Sequence, residues 1–149
     1  MSRIPRPALI LGLAGLIPFA WGAASALVPA LGATGLERLG PRLTGTPALI
    51  AYGTVILCFM SGVLWGFAAR AAEHQWRGYR LSVVPALWAF FMVGGGGQAA
   101  LSALLVGFLA LLVMDLQFRI WGLVPPWWMR LRVLLTAGAV LCLGAGIYA

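Results

Sequence analysis

Five apolar runs, separated by short loops that hold nearly all of the charge, set the first constraint on this 149-residue chain. They cover 7–31, 47–69, 81–93, 99–118 and 129–148. Crossing a hydrocarbon core of about 30 Å takes about 20 apolar residues at a rise of about 1.5 Å each. Four runs have that length. The third reaches it only if its helix begins near Trp76–Tyr79 and continues into Gly94–Gly97, a span of about 78–95. With 62% hydrophobic residues and a mean hydropathy of +1.00, little polar surface is left for a water-soluble domain. The expected fold class is all-α: a polytopic membrane protein, one transmembrane domain built as a five-helix bundle.

The net charge of +7 comes from ten Arg against Glu37, Glu73 and Asp115, without a single Lys. In a soluble protein such a balance would point to nucleic acid. Here the charges flank the spans, so they read as topology signals and contacts to anionic headgroups, with no nucleic-acid partner. Arg without Lys in a chain rich in Ala, Gly and Leu also fits a GC-rich genome. If the N-terminus is cytoplasmic, Arg3, Arg6, Arg70, Arg77, Arg80, Arg119, Arg130 and Arg132 lie inside, and only Arg38 and Arg42 lie outside. That bias places the N-terminus in and the C-terminus out. Arg3, Arg6 and the apolar stretch after them resemble a signal peptide, but the run continues to Leu31 and reads as a first span. Cys58 and Cys142 fall near the middle of spans and read as small packing residues.

Pro18 should kink the first span and Pro85 the third, because each ring removes a backbone donor and crowds the preceding turn. Residues 32–46, with Gly35, Gly40, Pro41 and Gly45, read as an outer loop of turns. In the second span, Thr54, Cys58, Gly62 and Gly66 recur at every fourth residue and form one stripe of small side chains. Such stripes let helix backbones approach closely. In a five-helix protein the stripe reads as a contact with a neighbouring span more readily than as a seam between two copies. Gly138, Cys142 and Gly146 offer a matching stripe in the fifth span, and Ala99, Ala103 and Gly107 one in the fourth.

Asp115 is the one acid within an apolar run. Intramembrane acids are candidate proton or cation ligands. Asp115 nevertheless lies one turn from the end of its span, near Arg119 at i+4 and Arg132 of the fifth span, so a structural clamp is the preferred reading. Trp76, Trp121, Trp127 and Trp128 form an aromatic belt at the cytoplasmic interface, while Trp21 and Trp88 sit deeper, each three residues beyond a proline. A deep indole N–H needs a partner, either a pocket ligand or a carbonyl freed by the kink. His74 has no neighbouring ligand for a metal, and Ser61, Ser82, Ser102 and Tyr52 have no adjacent base to activate a nucleophile. No cofactor is implied, and nothing in the chain argues for an enzyme.

Three passages together resemble a known family. They are Ala51-Tyr52-Gly53-Thr54 running on to Ser61-Gly62-Val63-Leu64-Trp65-Gly66, then Pro85-Ala86-Leu87-Trp88, then Pro125-Pro126-Trp127-Trp128-Met129-Arg130. The chain resembles the domain of unknown function 3429 family, which includes the eukaryotic transmembrane protein 69. The resemblance implies a small multi-helix inner-membrane protein, mitochondrial in eukaryotes, with no established activity and so no catalytic residues to carry over.

Two functional readings follow. The first is a non-enzymatic accessory or assembly protein of a bacterial inner (cytoplasmic) membrane, whose Arg/Trp rim grips membrane lipid, a larger membrane complex or a second copy. The second is a small-molecule or ion site open to the cytoplasm, walled by Tyr52, Ser61, Trp65, Trp88 and Asp115 with Arg70, Arg80 or Arg132 at its mouth. The second requires a cavity of about 300 Å³ or more with Asp115 and either Trp65 or Trp88 on its wall. The first requires Asp115 on an Arg and Trp65 against a small-residue face.

Overall fold

A computed structural model of the chain describes residues 3–149, and among them the regular structure is helical throughout. In chain order the helices are α1 (Arg6–Ala14), α2 (Ile17–Leu27), α3 (Pro29–Leu39), α4 (Gly45–Ala69), α5 (Gln75–Ser82), α6 (Val84–Met92), α7 (Gly97–Ile120) and α8 (Trp128–Tyr148), with a 3₁₀ turn at Pro41–Leu43. Four stretches are long and apolar enough to cross a membrane: Arg6–Leu27, Gly45–Ala69, Gly97–Ile120 and Trp128–Tyr148. The third run differs from the single expected helix. It is two helices of eight and nine residues hinged at Val83, which together reach about 27 Å.

Both breaks have a proline in the first turn that follows them. Pro18 cannot donate to the Ala14 carbonyl, and the chain tightens there through Leu16 N–H to Leu13 O at 3.0 Å. Tyr52 of α4 donates its hydroxyl to the Gly15 carbonyl at 3.0 Å and so pins the break from outside. Pro85 does to α5–α6 what Pro18 does to α1–α2, and the buried Ser61 donates to the Ser82 carbonyl beside that hinge.

Helix α4 is the hub, packing on α2, on α5 and α6, on α7 and on α8, while α7 and α8 share the most extensive interface. Leu49, Leu57 and Leu64 of α4 meet Leu101, Leu104 and Leu111 of α7, with Leu143 of α8 and Phe19 of α2, in one buried core. Glycine sits where backbones come closest. A Cβ at Gly22 would lie 2.8 Å from Leu49 Cγ, and one at Gly78 would lie 2.9 Å from Ala68 Cβ. Helix α5–α6 therefore runs antiparallel along α4, from Gly78 beside Ala68 to Trp88 near Leu57. The turn at 93–96 then returns the chain into α7, with φ of 66° at Gly96 and 55° at Gly97, a region open to glycine.

The expected outer loop is a correction. The first span ends at Leu27 rather than Leu31, Val28 is extended, and Pro29 opens α3 in place of a turn. Helix α3 doubles back along α2. A Cβ at Gly32 would lie 2.8 Å from the Ser25 carbonyl oxygen, and one at Gly35 would lie 2.9 Å from Trp21. Those glycines serve close packing, not turning. Ser25 also accepts the Gly45 N–H at 2.8 Å, so the first orphan donor of α4 is satisfied across helices.

Candidate functional site

The buried polar centre lies where α7 meets the first turns of α8. Trp128, Arg132 and Thr136 recur at four-residue spacing along one face of α8, and the first two reach Asp115 of α7. Arg132 Nε donates to Asp115 Oδ2 at 2.7 Å, and Trp128 Nε1 donates to Asp115 Oδ1 at 2.7 Å. Asp115 is fully buried and Arg132 is 4% exposed, the one arginine of the ten that is buried. Both carboxylate oxygens are thereby held, and the pair carries no net charge. Phe67 of α4 stacks edge-on against Trp128 with centroids 5.0 Å apart, which closes the site from the α4 side. Arg119, although at i+4 from Asp115, is exposed and takes no part in the pair. Isolated charges do not survive in such surroundings, so each partner holds the other in place.

The other candidate residues do not converge on that centre. Tyr52 is engaged at the α1–α2 break and Ser61 at the α5–α6 hinge. Trp88 Nε1 donates to the Ala103 carbonyl of α7 at 2.7 Å, and Trp21 Nε1 donates to the Leu43 carbonyl at 2.8 Å. Both deep indoles thus bond carbonyls of other elements, not carbonyls freed by their own kinks. Trp65 is half exposed and its ring packs at a 50° tilt against Tyr79 with centroids 4.5 Å apart. The Trp/Arg/Asp-walled pocket of the second reading is not assembled, because its members face different neighbours: the α1–α2 break, α5, α7 and α8. The expected small-residue contact of α4 with a neighbouring span is also redirected. Thr54 is half-buried, Cys58 is exposed, and a Cβ at Gly62 or Gly66 would meet nothing within 4 Å. The face of α4 that packs is Gly53, Leu57, Ser61, Leu64 and Ala68. Among the described residues, no group of three or more His, Cys, Asp or Glu comes together to hold a metal.

Comparison with known proteins agrees with the passages quoted above. The model of the family described as protein of unknown function (DUF3429) matches residues 4–148. The chain belongs to this DUF3429 family. Transmembrane protein 69 of Xenopus tropicalis is 35% identical over 146 residues, which cover 96% of this chain and 54% of that protein. The chain thus spans about half the length of the curated relative it matches. No solved structure matches the chain significantly.

Two residues of this DUF3429 chain's polar centre are not marked as such by sequence alone: Trp128 reads as part of the aromatic belt, and Thr136 stands out by nothing but its position. The signal was present in the spacing: Trp128, Arg132 and Thr136 occupy i, i+4 and i+8 of one helix, so whatever faces Arg132 is flanked by the other two.

Proposed function

We propose that this protein is a non-enzymatic accessory or assembly component of a membrane, held in shape by the Asp115–Arg132–Trp128 clamp and exposing an arginine- and tryptophan-bearing rim to lipid headgroups or a larger complex. The observation that supports the reading best is the state of Asp115. Both of its oxygens accept bonds from neighbouring side chains, which leaves it a tie between α7 and α8 rather than a ligand for a passing ion. The candidate residues Tyr52, Ser61 and Trp88 are likewise occupied by backbone carbonyls.

In this reading α5–α6 is a fifth crossing, bent at Val83, and the N-terminus lies on the cytoplasmic side of a bacterial inner membrane. The arginine distribution and the antiparallel course of α5–α6 along α4 support that orientation. Reporter fusions at the two ends should report opposite sides of the membrane. Two ends on one side would remove the fifth crossing. For the accessory role, native electrophoresis of the full chain extracted in mild detergent should show an assembly well above its 15.8 kDa mass. Migration as a monomer in detergent and in lipid nanodiscs alike would overturn it.

A further inference from the structure

The break between α1 and α2 leaves a cavity of about 150 Å³ beneath it, bounded by α1, α2, α4, α7 and α8. Most of its wall is apolar, with Phe19 and Phe108 set edge-to-face at 5.7 Å. Its rim includes Leu11 and Phe59, which are 72% and 63% exposed on the outer face of the bundle, so the opening faces sideways into hydrocarbon. Arg132 and Thr136 of α8 also line it. Both are more than nine-tenths buried, and both keep a polar atom without a partner: Arg132 Nη2 and Thr136 Oγ1.

Those two atoms are the unusual feature. A buried donor without an acceptor is costly, and a threonine in a helix ordinarily relieves that cost by bonding the carbonyl four residues back. Thr34 and Thr54 do so, to Ala30 O at 3.0 Å and to Ile50 O at 2.7 Å. Thr136 does not, although Arg132 O is the corresponding carbonyl. Asp115 engages Arg132 only through Nε, which leaves Nη2 without a partner on the residue one turn before Thr136. The charge of Arg132 is already matched by Asp115, so a carboxylate or phosphate would bring an uncompensated charge into an apolar site. An uncharged oxygen acceptor would not. A cavity of about 150 Å³ with apolar walls is the size that admits one six-membered ring.

We propose that this cavity binds the carbonyl end of a neutral, bilayer-soluble molecule that enters sideways between α1 and α4, its oxygen accepting hydrogen bonds from Arg132 Nη2 and Thr136 Oγ1. Two membrane constituents carry that chemistry, a quinone ring and the ester carbonyl of an acylglycerol. The apolar walls hold the body of the ligand, and the Tyr52–Gly15 hydrogen bond keeps the break open beneath which it sits.

The test uses the full chain in nanodiscs of ether-linked phosphatidylcholine, which contain no ester carbonyl. Four probes are titrated: a decyl-substituted benzoquinone, a diacylglycerol, an alkylbenzene without oxygen, and a fatty acid. At least one carbonyl probe should raise the thermal midpoint saturably while the alkylbenzene does not. Whichever of the quinone and the diacylglycerol does so identifies the source. Thr136→Val should weaken that probe about fivefold to tenfold, the effect of one hydrogen bond. The unliganded midpoint of the same variant should stay level or rise, because an unpartnered hydroxyl has been removed. A purely structural threonine would give the reverse pattern. Ala139→Leu, which fills the cavity from α8, should abolish the shift. The proposal is overturned if the alkylbenzene acts as strongly as the carbonyl probes, if the fatty acid alone binds, or if no probe shifts the protein and the two polar atoms hold only water.

Discussion

Gly138 and Gly146 of α8 and Gly62 and Gly66 of α4 all lie on four-residue stripes of small side chains, yet they meet different surroundings. A Cβ at Gly138 would lie 2.7 Å from Leu16 Cδ1 and one at Gly146 would lie 2.5 Å from Leu49 Cδ1, whereas a Cβ at either α4 position would meet nothing within 4 Å. Both helices are apolar all round, so hydrophobic periodicity does not separate an inner from an outer face as it does in a soluble protein. What separates them is the bulk offered by the partner. Leu16, at the α1–α2 break, and Leu49 of α4 project at the α8 stripe and require the missing side chains. The inner face of α4 carries its own leucines, which fill the gap to α7 and leave the small residues outside. A small-residue stripe thus marks a face capable of close approach, and only the neighbour decides whether the approach occurs.

The contrast is sharpest at the polar end of α8, where packing is backed by charge and α4 has nothing equivalent. Asp115→Ala should have the largest effect of any single change, about 3–5 kcal/mol of lost stability, because it leaves the Arg132 guanidinium buried and unpaired. Reversible unfolding in mixed micelles would measure it. The double variant Asp115→Leu/Arg132→Met should recover most of the loss, since a packed apolar pair replaces a neutral ionic one. A double variant as unstable as the single one would mean that the charges do more than tie α7 to α8.

Next in size comes the packed stripe itself. Gly146→Leu forces a side chain toward Leu49 and Leu101 and should destabilise by about 1–3 kcal/mol, more than the roughly 1 kcal/mol that leucine gains over glycine in a helix. If Gly146→Leu were neutral, α8 would be as loosely opposed as the outer face of α4, and the contrast would fail. Ser61→Ala probes the inner face of α4, where the hydroxyl bonds the Ser82 carbonyl at the α5–α6 hinge. Interhelical hydrogen bonds inside a membrane contribute about 0.6 kcal/mol on average, so a midpoint shift of that order is expected. Trypsin accessibility at Arg77 and Arg80 should rise with it if the hinge loosens.

Much of this fold is legible in the chain, for reasons that also explain what is not. Helices α4, α7 and α8 lie within two residues of the apolar runs at 47–69, 99–118 and 129–148, since crossing a bilayer demands an uninterrupted run and the arginines bound it. The breaks at Pro18 and Pro85 follow from a missing donor. Helix α3 was hidden because Gly32 and Gly35, which read locally as turn residues, are selected by their contacts with Ser25 and Trp21. The pairing of Asp115 with Arg132 was within reach because few partners exist inside a membrane, but the exclusion of Arg119 depends on which way α7 is rotated. The cavity was out of reach altogether. It arises from how far α1 swings at the break, and residue spacing does not carry that angle.

The smallest predicted effect tests the comparison most directly. Gly62→Leu adds a large side chain to a face where a Cβ meets no atom, so no neighbour has to move. Loss of glycine flexibility in a helix stabilises by up to about 1 kcal/mol, and a leucine exposed to lipid costs nothing in transfer. The thermal midpoint of the variant should therefore stay level or rise slightly, where Gly146→Leu lowers it. The same pair of variants also separates the two ways in which the α4 stripe could be used. If Gly62→Leu leaves the monomer's unfolding unchanged but reduces the mass of the particle in native mass spectrometry, the stripe is a seam between two copies, with Cys58 on its face available for cross-linking. If mass and midpoint are both unchanged, the stripe faces lipid. A fall in the monomer's midpoint to the level of Gly146→Leu would mean that α4 presents Gly62 to another helix of its own chain, and the opposition between α4 and α8 would have to be abandoned.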